Sequence, residues 1–199
     1  EFAASEGLQA QNCATVAMKY AASQLGRDLT DLQLAQLIDG ADGTTSLHAM
    51  KNFALRSGLY CRAVRIDMRT LRGLAGSQVI LHLPKKNHFV VLGDIDEAYV
   101  WSIDLANDKF CDRTDISFFD MDWTDGVALV LSDRPILGPL TDIDEAELRT
   151  ITGGTGYTCT NLLQEYDVIF CLGSCDGNYE YVMIEDPLPA GAEPIREDR

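Results

Sequence analysis

A thiol, an imidazole and a carboxylate occur along this chain in the order Cys13, His88, Asp104, and a set of that kind can hydrolyse an acyl bond. Cys13 stands where the amphipathic stretch QNCATVAMKYAASQLG is about to become a helix. The unpaired N–H groups and partial positive charge of a helix N-terminus favour a thiolate there. His88 opens the apolar run HFVVL after the turn PKKN and could share and later return the thiol's proton. Asp104 ends YVWSID, one strand further on, and could orient the imidazole. A glutamine just upstream of the cysteine, Gln9 or Gln11, together with the N–H of Cys13, is the expected donor set for a developing oxyanion. The other two histidines, His48 and His82, fall inside a helical and a strand pattern and read as structural.

The elements that must position these groups follow from periodicity. Apolar residues recur at helical spacing over Ala14 to Leu25, stopping at Gly26, and again over Leu29 to Ile38, stopping at Gly40. Ser46 is the expected N-cap of a third helix, LHAMKNFALRS, which ends at Gly58. The period then changes to two. YCRAVRI, QVILHL, HFVVLGD, AYVWSID and GVALVLS read as strands, with MRTLRGL a short helix between the first two. Helices first and an antiparallel sheet after is an α+β arrangement, with the cysteine on a helix start and the histidine on a strand.

The 199 residues are 46% hydrophobic and 24% charged, which suits a globular domain with residues left over for an appendage. A net charge of −15, with no basic cluster, argues against nucleic acid and against an anionic membrane surface. No apolar run is long enough to span a bilayer. The charge is unevenly spread: residues 1–133 carry 12 basic and 18 acidic side chains (net −6), and residues 134–199 carry 4 and 13 (net −9) in half the length. That shift predicts a boundary between Ser132 and Pro139. No cofactor, metal or nucleotide is called for: GxxxxGK[ST] is absent, and Cys171 and Cys175 with Cys159 and no nearby histidine make a poor zinc set.

The stretches QNCATVAMKYAASQLG, VILHLPKKNHFVVLGD, YVWSIDLANDKF and WTDGVALVLSD together resemble the C39 peptidases, papain-like proteases that cleave leader peptides of secreted bacterial peptides. The resemblance covers about residues 9–133 and implies a papain-like cysteine peptidase fold, with Cys13, His88 and Asp104 as the catalytic residues. The chain departs from the family pattern at three places. Ala14 stands where glycine is usual after the cysteine, Leu105 where proline is usual after the aspartate, and Gly7 where the oxyanion glutamine usually lies. Gln9 is the expected substitute donor.

A second signal lies in LTDIDEAELRTITGG. Counting back from a cut after Gly154, the apolar residues Ile151, Leu148, Ile143 and Leu140 lie four, seven, twelve and fifteen residues upstream, and Glu147 precedes Leu148. The spacing also describes an ordinary amphipathic helix with a glycine cap. It resembles the double-glycine leader that C39 peptidases recognise, an apolar stripe for a groove and two glycines for a slot too narrow for a side chain. The expected organisation is a peptidase domain over 1–133, a linker and leader helix over 134–154, and a cysteine-containing acidic tail over 155–199 released by the cut. The expected partner is a double-glycine leader, in cis or in trans, with an exporter downstream. The competing expectation is a peptidase-like module that binds a leader without cutting it, motivated by Ala14 and the displaced glutamine.

Overall fold

A computed structural model describes residues 12–154, except 42, 75, 76 and 108, together with two short strands at 171–173 and 179–181. Gln9 and Gln11, and almost all of the tail from 155 onward, lie outside the described residues. Helix α1 (Cys13–Gln24) starts one residue earlier than its apolar pattern, because the Asn12 side chain accepts from the amides of Ala14 and Thr15. The second helical segment is shorter than its periodicity predicts: α2 (Asp31–Leu34), entered through a Thr30/Gln33 capping box, tightens into a 3-10 turn over Ala35–Leu37. After the two-residue strand β1 (Thr45–Ser46), Ser46 caps α3 (Leu47–Arg56) through the amide of Ala49.

The strands that follow are β2 (Tyr60–Arg65), β3 (Gln78–Leu83), β4 (His88–Ile95), β5 (Tyr99–Asp104), β6 (Lys109–Asp115) and β7 (Val127–Ser132). Short helices α4 (Met68–Arg72) and α5 (Ile116–Asp122) lie between them. The β6–α5 pair has no counterpart in the sequence reading. β6 carries four charged side chains in KFCDRTD, so it shows no apolar alternation, and only its pairing with β5 makes it a strand.

With β8 (Thr141–Asp142), these strands form one antiparallel sheet of seven in the order β6-β5-β4-β3-β7-β2-β8. Alternation sorts their side chains. Ile80, Phe89, Val91, Ile103, Leu129 and Leu131 meet α1 and α3 on one face, while Val79, Leu81, Val90, Val100, Ala128 and Val130 meet Phe119 and Trp123 on the other. The centre of the sheet is thus covered on both sides, which is why β7 reads as an unbroken apolar run.

Residues 140–154 do not form the single leader helix expected from their spacing. They divide into β8, one turn of helix α6 (Glu145–Leu148) and the strand β9 (Thr152–Gly153). The physical reason is competition from open backbone partners. β2 would otherwise be a bare sheet edge, and β8 pairs with it at Val64 and Arg65 while Ile143 N–H donates to Ala63 O. Asp144 then caps α6 through Ala146 and Glu147, and the β-branched run Thr150–Ile151–Thr152 leads into β9, which pairs with β1. The strands at Cys171–Gly173 and Tyr179–Tyr181 pair with each other, antiparallel.

Candidate active site

Cys13, at the first position of α1, is buried with its sulfur against the hairpin of β3 and β4, where Phe89 N–H donates to Sγ at 3.4 Å. The hairpin turn Pro84–Lys86 ends on Asn87 in the left-handed region (φ 46°), and β4 begins at once with His88. That short return fixes His88 next to the residue whose amide meets the thiol. His88 Nε2 lies 2.8 Å from Asp104 Oδ1, at the end of β5, which leaves Nδ1 for the cysteine. The pair is close but not well aligned, since this buried oxygen has no hydrogen-bond donor of good geometry. Asp104 Oδ2 accepts from the Asn107 side chain at 2.7 Å, and that same amide nitrogen lies 3.3 Å from His88 Nε2.

These neighbours set the charges. Burial disfavours the His88 cation, but its contacts with Asp104 and Cys13 outweigh that and push it up to about 9. Burial likewise opposes charge on Asp104, and the contacts with His88 and Asn107 outweigh it, holding the carboxyl below its usual range. Cys61, the other free thiol among the described residues, is pushed up to about 12 by burial, with Lys51 opposing weakly. It stays a thiol and has no imidazole beside it. The expected Cys13, His88 and Asp104 are therefore brought together, and the expected oxyanion glutamines Gln9 and Gln11 lie outside the described residues. A separate cleft between Arg65, Arg72, Ile116 and Trp123 contains none of the three.

The segment 140–154 runs to this site. Ile143, Leu148 and Ile151 are buried in the same cluster as Cys13, Ala17, Leu47 and Phe53, and Leu148 is fully enclosed; Leu140 is partly buried against the opposite cluster. From Ile151 the chain is gripped by its backbone. Leu47 N–H donates to Ile151 O at 2.8 Å, and the Thr152 hydroxyl donates to Asn87 Oδ1 at 3.2 Å. Thr45 and Ser46 pair with Gly153 and Thr152. A Cβ on Gly153 would come within 2.6 Å of the Phe89 ring. On Gly154, whose φ is +119°, it would collide with the side-chain amide of Asn12. The two glycines thus fit where no other residue does, between the residue before Cys13 and the residue after His88.

Sequence reasoning missed Asn12, Phe89 and Asn107, and it took His82 for a structural residue. Asn12 had a legible signal as an Asn ahead of a helix, although its contact with Gly154 had none. Phe89 is an ordinary strand aromatic until the hairpin carries it to the glycines.

A helix that begins on a cysteine, laid on an antiparallel sheet that supplies a histidine–aspartate pair, is the arrangement of a thiol peptidase. The chain belongs to the peptidase C39 family, whose model matches residues 5–136. The match ends before Leu140–Gly154. No curated protein matches the chain. Among solved structures, a double-glycine motif protease from an AMS/PCAT transporter, determined in complex with the leader peptide, is 22% identical with a TM-score of 0.54; the similarity covers 63% of this chain and 86% of that one. The peptidase domain of Streptococcus ComA, a bi-functional ABC transporter of a quorum-sensing pathway, is 18% identical with a TM-score of 0.55, over 64% and 96%. The N-terminal C39-like domain of a toxin secretion ATP-binding protein from Vibrio parahaemolyticus is 15% identical with a TM-score of 0.51, over 62% and 98%. These likenesses establish the fold. Among the described residues no helix is long and apolar enough to cross a membrane.

Proposed function

We propose that this chain is a cysteine endopeptidase whose substrate is its own double-glycine segment, cut after Gly154 to mature a secreted peptide from residues 155–199. One observation carries the reading: Gly153–Gly154 lies against Phe89 and Asn12, the immediate neighbours of His88 and Cys13, in contacts that tolerate only glycine. The burial of Ile143, Leu148 and Ile151 supports it, since three of the four spaced apolar positions fill the groove beside the cysteine. In the proposed reaction Cys13 Sγ attacks the Gly154 carbonyl and forms a thioester. The His88 cation gives its proton to the departing amine of Thr155, and water, deprotonated by His88, then hydrolyses the thioester. Asp104 keeps the ring oriented and stabilises its charge. A covalent tether of this length holds the site at an effective concentration on the order of millimolar.

The severed leader remains part of the enzyme, joined to β7 and packed in the core, so each molecule is expected to cut once. Intact mass spectrometry of the reduced chain beside Cys13→Ala tests the reading. A break after Gly154, present only with the cysteine, supports it. An uncut chain whose 140–154 segment is docked would instead make the domain a leader-binding module, and an undocked segment would refute both. After the cut, an added leader peptide is expected to remain intact for want of an empty groove.

A further inference from the structure

Six residues before the candidate base, β3 carries a second histidine, and its surroundings are as specific as those of the first. His82 is buried, with Nδ1 2.6 Å from Asp125 Oδ2 and Nε2 3.1 Å from the carbonyl oxygen of Thr152. It packs against the Phe89 ring, the ring that closes over Gly153. Thr152 is the third residue before the proposed cut. A carbonyl can only accept, so Nε2 is the donor to Thr152, and the Asp125 carboxylate lies against the other ring nitrogen and orients the ring. The ring is thereby held on both sides, between the Asp125 carboxylate and the Thr152 carbonyl.

Resting on the proposed cis cleavage, we infer that His82, oriented by Asp125, is a substrate-positioning residue that grips the main chain of the leader at Thr152. The geometry gives it that role and no other: Nε2 is used on Thr152, so it does not serve Cys13. Its contact is to a backbone oxygen, so it reads strand position and not side-chain identity. It works beside the Leu47 N–H bond to Ile151 O, so two consecutive leader carbonyls are held by two different donors. Holding both fixes where Gly153 and Gly154 fall relative to Cys13, and a displacement of one residue would put Thr152 against the Phe89 ring. Specificity for glycine at the cut and depth of the leader in the groove are thus coupled through one hairpin.

The test uses the full chain in a Cys13→Ala background, which cannot cut and so separates docking from catalysis. Hydrogen exchange is followed in peptides spanning 141–154 and in the β3–β4–β7 sheet, for His82, His82→Leu and His82→Gln. The expected result for His82→Leu is at least about tenfold faster exchange at 151–154 with sheet protection retained. His82→Gln, which keeps an N–H donor, is expected to restore most of the protection. With Cys13 present, the cut is expected to slow about tenfold in His82→Leu and to recover in His82→Gln. Unchanged exchange at 151–154, equal behaviour of the two variants, or loosening of the sheet together with the segment would each overturn the inference. If 151–154 is already unprotected in the His82 parent, it is the cis reading that fails; if it is protected there and indifferent to His82→Leu, only the positioning role fails.

Discussion

Two histidines on the two strands of one hairpin each pair with an aspartate from elsewhere, His88–Asp104 and His82–Asp125, and the pairs differ in what the other ring nitrogen meets. At His88 it is the thiol of Cys13; at His82 it is the Thr152 carbonyl. The carboxylates differ as well. Asp104 Oδ2 takes the Asn107 amide, whereas Asp125 Oδ1 takes the Val127 amide and so belongs to the backbone entering β7. On the proposed reading, the same two side chain types serve a chemical step in one place and a grip in the other. Residue type does not decide between them; the third partner does.

The comparison can be broken most strongly at the chemical pair. His88→Ala is expected to lower the rate of the cut by about 10³–10⁴-fold, because the imidazole that returns the proton is gone, while exchange protection at 151–154 stays as in the parent. Leu148→Ala strikes the opposite side. The residue is fully enclosed, so its truncation is expected to cost about 2–5 kcal/mol of packing. That loss should appear in hydrogen exchange as release of 141–154 with His88 and Cys13 untouched.

Gly154→Ala is expected to slow the cut about 10²-fold, since its Cβ would collide with Asn12 in a backbone conformation that disfavours L side chains. Asn12→Gly in the same chain should recover part of the rate, as mass-spectrometric time courses would show, because glycine is an acceptable helix cap. Asp125→Asn leaves His82 a hydrogen-bond partner and removes the carboxylate that orients its ring. Its expected effect is about tenfold at most on the cut, with the pH profile of the cut otherwise that of the parent.

The remaining effect is on stability. His88 is raised to about 9 in the folded chain from an ordinary value of about 6.5. Its charged form therefore stabilises the fold fully below about pH 6.5, and that contribution is lost as pH rises through about 9. Thermal melts from pH 6 to 10 should show the gap between the parent and His88→Gln closing above pH 9. In Cys13→Ala the closure should come at lower pH, because one of the groups raising His88 is gone.

Much of the scaffold was legible because local rules and tertiary structure agree there. Ser46 caps α3 and the apolar runs of β3, β4 and β7 pair in the core as their patterns predict, and α1 begins within one residue of its apolar pattern. Legibility failed where charge or length hid the pattern. β6 is polar on both faces and exists through its pairing with β5, and the helix predicted over 140–154 yielded to the open edges of β1 and β2. His82 is the sharper case. In VILHL it is a lone polar residue in an apolar run, and Asp125 lies 43 residues away from it.

By itself, then, the order of residues determined the reactive types, the helix start that presents Cys13, the turn that delivers His88, and the apolar spacing before Gly153–Gly154. Each is a local matter of caps, turns and side-chain period, written within a few neighbouring positions. Only the tertiary structure decided that the leader-like segment is spent as edge strand, single turn and second edge strand, and that its glycines meet Asn12 and Phe89. It alone separated two similar histidine–aspartate pairs into one facing a thiol and one facing a backbone carbonyl. Those outcomes rest on contacts between residues as far apart as His82 and Thr152, whose proximity exists only once the sheet has formed.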